Sequence, residues 1–171
     1  MQREQLKILL LQIRDDHKVR AEELESFARY SQLDVNQIDV LNVFDTPSFD
    51  SSVLEGYDAL YVGGASEANV LEPKIYPFVN DCISLIKFAG DTGIPTFASC
   101  FGFQLAVLAF GGEILSKDED YEMGSIPITL TNLATIDPVF SGTPDKFPAL
   151  SIHRQYALSL IHISEPTRRT Q

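Results

Sequence analysis

The chain has little of several things. It holds two cysteines, Cys82 and Cys100, and three histidines, His17, His153 and His162. Two cysteines make no secreted disulfide framework, and their spacing fits no zinc motif. The histidines are scattered, so neither a metal site nor another cofactor is expected. Positive charge is also scarce: 13 Lys and Arg stand against 24 Asp and Glu, a net charge of −11. Phosphate binding needs clustered cations, so nucleic acid is excluded as the main partner, and so is adhesion to an anionic membrane face. The excess acid serves solubility. No apolar run approaches the ~20 residues of a membrane helix. The start, Met1 to Gln5, is polar, and the apolar run Ile8 to Leu11 meets Arg14-Asp15-Asp16 too soon for a signal peptide. The expected location is the cytoplasm.

What is present suits one compact domain. The 171 residues are 44% hydrophobic and 22% charged. Leu6–Ile13 is almost continuously apolar, as in a buried parallel strand. Arg14 to His17 reads as a polar loop, and Glu22 to Tyr30 as a helix with Leu24, Phe27 and Ala28 on one face. Ile38–Val43 and Ala59–Val62 read as further strands, the latter running into Gly63-Gly64. Ile75, Phe78, Val79, Cys82, Ile83 and Ile86 form one apolar helical stripe. Ile94–Ala98 reads as a fourth strand, and Phe101–Phe110 as a helix stopped by Gly111-Gly112. Ile126, Ile128 and Leu130 alternate as in a half-exposed strand, and Ala149–Ile152 permits another. Strands alternating with helices indicate an α/β domain with a mostly parallel sheet, whose ligands sit at the carboxyl ends of the strands.

Both Gly63-Gly64 and Cys100 follow strands directly. A nucleophile on a tight strand-to-helix turn needs small residues two before and two after it, and Ala98 and Gly102 stand there. Such a turn exposes the thiol over a helix N-terminus, whose partial positive charge favours thiolate. The Phe101 N–H then points where a tetrahedral oxyanion forms, and Gly64 offers a second N–H from the neighbouring strand end. Gln104, one helical turn on, reaches toward the same cavity to bind substrate. A buried structural cysteine is the plainer reading of a lone Cys. The flanking pattern favours the nucleophile for Cys100, whereas Cys82, on an apolar helix stripe, reads as core.

The run Ala98 to Ala106 (ASCFGFQLA) resembles the Cys-x-Gly-x-Gln signature of class I glutamine amidotransferases. Tyr61 to Ala65 resembles that family's Gly-Gly oxyanion loop, and Glu122-Met123-Gly124 its Glu-x-Gly strand. Asp45-Thr46-Pro47 and Ile152 to Leu158 also fit. The likeness points to stand-alone, GMP-synthase-like members and covers roughly Leu6 to Leu158. It implies a flavodoxin-like three-layer α/β fold with a mostly parallel central sheet. It also implies hydrolysis of the glutamine side-chain amide through a cysteine thioester, releasing ammonia to an acceptor, with an ammonia-accepting synthetase as a possible partner. By the match Cys100 is catalytic, Gly64 and Phe101 form the oxyanion hole, and Gln104 holds the substrate.

The family also uses a histidine base and an orienting glutamate in a His-Pro-Glu motif, and this chain has none. After Leu158 the family pattern stops. Residues 159–171 instead resemble the peptide obtained by translating a sequencing-library adapter. The expectation is an incomplete family domain over 1–158, with its C-terminal strands missing, followed by a non-native tail over 159–171. The alternative is a real terminal strand from Leu158 to Ile163. His162 and Glu165 do not have the family's spacing and read as bystanders. His153 reads as a packed loop residue rather than a stand-in base, His17 as solvated, and Glu122 equally as a family match or a surface carboxylate. The chain itself is expected to lack turnover. The alternatives are a γ-glutamyl peptidase or hydrolase on the same cysteine chemistry, or a truncated, non-catalytic binding module.

Overall fold

The computed structural model describes residues 2–116, 122–153 and 155–158. Four parallel strands, β1 (Ile8–Gln12), β2 (Ile38–Asn42), β3 (Ala59–Val62) and β4 (Thr96–Ala98), form a sheet in the order β2-β1-β3-β4. All five residues of β1 are buried, as a central strand covered on both faces must be. Its side chains divide by parity. Ile8 and Leu10 pack on one face with Ala28 and Ile38, and Leu9 and Leu11 on the other in the larger cluster.

The first face is covered by α1 (His17–Ser31), the second by α2 (Phe78–Thr92) and α3 (Phe101–Ala109). The α/β, flavodoxin-like architecture expected from the sequence is therefore present. α1 begins five residues before the apolar pattern does. The Asp16 carboxylate accepts from the N–H groups of Lys18 and Val19 and caps it, so His17 opens the helix rather than closing a loop. α2 begins at Phe78, and Ile75 lies outside it, exposed. Gly93, at φ 75°, ends α2 in the left-handed conformation that a side chain disfavours.

The described residues fall into two compact units. One holds the residues up to Ile114 with Ala157 and Leu158, including β5 (Glu113–Ser116) as far as Ile114. The other, Leu115–Tyr156, is built on β6 (Glu122–Thr129) paired antiparallel with β7 (Lys146–His153), from Glu122 opposite His153 to Thr129 opposite Lys146. A further strand, β8, spans Gln155–Leu158. β7 extends the short strand read at Ala149–Ile152 in both directions. All the candidate residues around Cys100 belong to the first unit.

Candidate active site

β4 ends at Ala98, and the chain reverses within two residues into α3. The Ser99 N–H donates to the Val62 carbonyl at 3.0 Å, the last link to β3. Cys100 then takes φ 53° and ψ −108°, a conformation rare for a residue with a Cβ. Holding it there costs on the order of 1–3 kcal/mol, which the surrounding contacts must offset. Gly102 N–H donates to the carbonyls of Ser99, at 2.9 Å, and Gly63, at 3.1 Å. The reason for glycine at 102 is steric: a Cβ there would stand 2.7 Å from the Val62 carbonyl oxygen. The helix N-terminus thus presses directly on β3, and the thiol is left exposed.

The turn after β3 comes to the same place. Gly63 N–H continues the sheet by donating to Leu11 O at 3.0 Å. A Cβ on Gly64 would lie 3.6 Å from Cys100 Cβ and 2.7 Å from an Arg14 terminal nitrogen. The ends of β1, β3 and β4 therefore converge, where the strand order changes direction and open α/β sheets bind ligands. A cleft of about 700 Å³ opens there, and Cys100, Ser99, Gly64, Arg14 and Glu23 are among the residues lining it. Phe27, Tyr61 and Phe97 form its apolar wall. Phe27 stacks on Tyr61 at 5.3 Å between centroids, and Phe97 meets each ring edge-on at 6.1 Å.

This geometry coincides with likeness to known proteins. The family model of class-I glutamine amidotransferases matches residues 31–165. GMP synthase [glutamine-hydrolyzing] of Tropheryma whipplei (strain Twist) is 32% identical over 126 residues, which are 70% of this chain. The chain belongs to the class I glutamine amidotransferase family. It matches only 22% of that synthase's length. Among solved structures, a glutamine amidotransferase from Thermotoga maritima superposes with a TM-score of 0.70 at 19% identity, covering 89% of this chain and 62% of that one. A glutamine amidotransferase from Methylobacillus flagellatus gives 0.63 at 19% identity, covering 90% and 57%. At such identities these two speak for the fold.

Within this amidotransferase domain, the structure brings Cys100 and Gly64 together. Phe101 buries its ring in the main core, and its N–H, the first of α3, precedes any intrahelical acceptor. Gln104 is half-buried one turn along α3 and does not line the cleft. Cys82 is 0% exposed on the inner face of α2, and burial pushes its thiol well above the ordinary range. His17 is exposed. His162, Glu165 and the side chains of Glu122 and His153 lie outside the described residues, as does the tail over 159–171. Among the described residues no cluster of His, Cys, Asp or Glu could hold a metal ion, and no helix is long and apolar enough to cross a membrane.

Two site residues escaped the sequence reading. Arg14 follows β1, and its carbonyl accepts from Asn42 Nδ2 at 2.9 Å and Arg20 Nε at 2.8 Å, which fixes the backbone there. Its Nε donates to Glu23 Oε1 at 2.9 Å, and a terminal nitrogen to Ser66 Oγ at 2.9 Å. Glu23 Oε1 also accepts the Gly64 N–H at 3.1 Å. A signal for both existed. Arg14 sits at a strand's carboxyl end, and Glu23 interrupts an otherwise apolar stripe, Val19, Phe27 and Tyr30, along α1.

Proposed function

We propose that the chain carries the nucleophile's side of a glutamine amide hydrolysis site, with Cys100 as the nucleophile, and that the 171-residue chain does not itself turn glutamine over. In the reaction the site is built for, the sulfur attacks the side-chain amide carbon, a C–S bond forms, and the C–N bond breaks as ammonia leaves with a proton. Water then cleaves the thioester to glutamate. The ammonia serves an acceptor, and the likeness to GMP synthase makes a partner synthetase the fitting consumer. Phe101 and Gly64 supply the oxyanion donors; Gln104, which does not line the cleft, is left without the substrate-holding role expected of it. The observation that carries this reading is Cys100 at φ 53°, exposed at the start of α3 beside Gly64. Two free cysteines fit a reducing compartment, the cytoplasm.

The test is labelling with 6-diazo-5-oxo-L-norleucine, a glutamine analogue that loses N₂ as it alkylates a thiol. One adduct is expected, on the peptide bearing Cys100, with protection by glutamine. An adduct on Cys82 instead, or labelling that glutamine leaves untouched, would sink the assignment.

A second reading, γ-glutamyl hydrolysis, draws on the size of the cleft. Its 700 Å³ and aromatic wall leave room beyond a glutamine side chain for an apolar group on the γ-amide. Under that reading γ-glutamyl anilide protects Cys100 from labelling at lower concentration than glutamine does. Equal protection, or better protection by glutamine, removes it.

A further inference from the structure

We propose that Glu23 is a gate on the oxyanion site, a positioning residue whose carboxylate occupies the Gly64 N–H until a substrate displaces it. The proposal rests on Cys100 being the nucleophile and Gly64 an oxyanion donor.

Four observations converge. Glu23 Oε1 accepts the Gly64 N–H at 3.1 Å, and an amide already aimed at a carboxylate cannot also donate linearly to a second oxygen. Arg14 Nε holds the same oxygen at 2.9 Å, so the carboxylate is anchored over the turn. The glycine turn is shaped to it: a Cβ on Gly63 would stand 2.6–2.8 Å from the Glu23 carboxyl group. The side chain is 9% exposed, and Oε2 is buried with no hydrogen-bond partner. An orphaned buried carboxylate oxygen is costly, so this arrangement is not the one that best satisfies Glu23. A group that donates to Oε2 draws the carboxylate toward itself and away from Gly64. The α-ammonium of an amino-acid substrate has the right charge.

The chemical consequence is direct. When the thiol attacks a γ-carbonyl, negative charge develops on oxygen beside Gly64. With Glu23 in place that charge meets a carboxylate instead of a donor. Removing a single oxyanion donor costs about 10²–10³ in rate elsewhere, so opening one should be visible.

The test uses the p-nitrophenyl γ-ester of N-acetylglutamate, which has no α-ammonium to displace Glu23, and follows the burst of p-nitrophenolate in the 171-residue chain. Cys100 sulfur bonds to the γ-carbon, the C–O bond breaks, p-nitrophenolate leaves, and the thiol proton goes to water. This leaving group needs no acid. Alkylation of Cys100 by iodoacetamide, which forms no oxyanion, normalises for thiol reactivity. Expected is a normalised burst rate raised about tenfold or more in Glu23→Ala. Glu23→Gln should fall between, because its amide oxygen still accepts from Gly64 without the charge. Arg14→Gln, which removes the anchor and leaves Glu23, should shift the rate in the same direction and covers the case in which Glu23→Ala does not fold. A Cys100-dependent burst that stays level or slows in these variants overturns the gate alone. A burst that survives Cys100→Ala overturns the nucleophile, and the gate with it.

Discussion

A residue with a Cβ at φ 53° is held there by its neighbours and against its own preference. Cys100 is such a residue, and the hydrogen bonds of Ser99 to Val62 in β3 and of Gly102 to Gly63 just beyond it are what hold it. Strain of this kind is a local loss of stability that the thiol's exposure requires. Cys100→Gly should therefore stabilise the fold by roughly 1 kcal/mol, read as a rise in urea midpoint, while abolishing thiol labelling. A midpoint that falls would show that the turn is unstrained. Gly102→Ala acts in the opposite sense. Its Cβ has to push against the backbone oxygen and side chain of Val62, neither a flexible end. The expected cost is about 1–3 kcal/mol, with Cys100 labelling slowed because the start of α3 is forced off β3. These two residues were legible in sequence because a cysteine directly after a strand, with small residues two before and two after it, has the sterics of a tight turn. Glu23 was not. Its role depends on α1 lying over the turn after β3, a contact between residues 41 positions apart that no local pattern encodes.

At the scale of elements, periodicity and burial agree where a strand or helix is covered on its own terms. β1 shows this: its apolar run Ile8 to Leu11 meets helices on both faces. Where they part, the cause is capping or exposure. The first turn of α1, His17 to Arg20, has Val19 as its single apolar residue, and Asp16 caps it. β4 differs in its exposure. It pairs with β3 and stands at one end of the described sheet, and Phe97 at its centre is 59% exposed beside the aromatic wall. An edge strand carrying a large exposed apolar side chain is a template for pairing with other chains. Phe97→Lys should lower the light scattering of concentrated solutions several-fold and leave the melting temperature within a few degrees. Unchanged scattering would place the association surface elsewhere.

For the molecule as a whole, the question is which half of the reaction its residues can drive. Acylation by an activated ester needs a thiol, a place for the oxyanion and a leaving group that departs unaided. Glutamine is harder, because its nitrogen must gain a proton as the C–N bond breaks and water must then be activated against the thioester. A positioned base typically contributes about 10²–10⁴-fold to such steps, and groups that act as a unit lose most of their effect when one is missing. The ionisable residues lining the described cleft beside Cys100 are Arg14, Glu22, Glu23 and the tyrosines, and no histidine is among them. Glu23 is committed to Arg14 and Gly64. The expected outcome for the 171-residue chain is then a split: one equivalent of p-nitrophenolate released from the γ-ester, followed by accumulation of the acyl-enzyme, seen as a stable mass increase on Cys100. With glutamine, ammonia release should stay at the level of Cys100→Ala. Steady ammonia production that Cys100→Ala removes would mean that a base outside the described cleft reaches the thiol. A full equivalent of burst without it separates a site that is built from one that turns over.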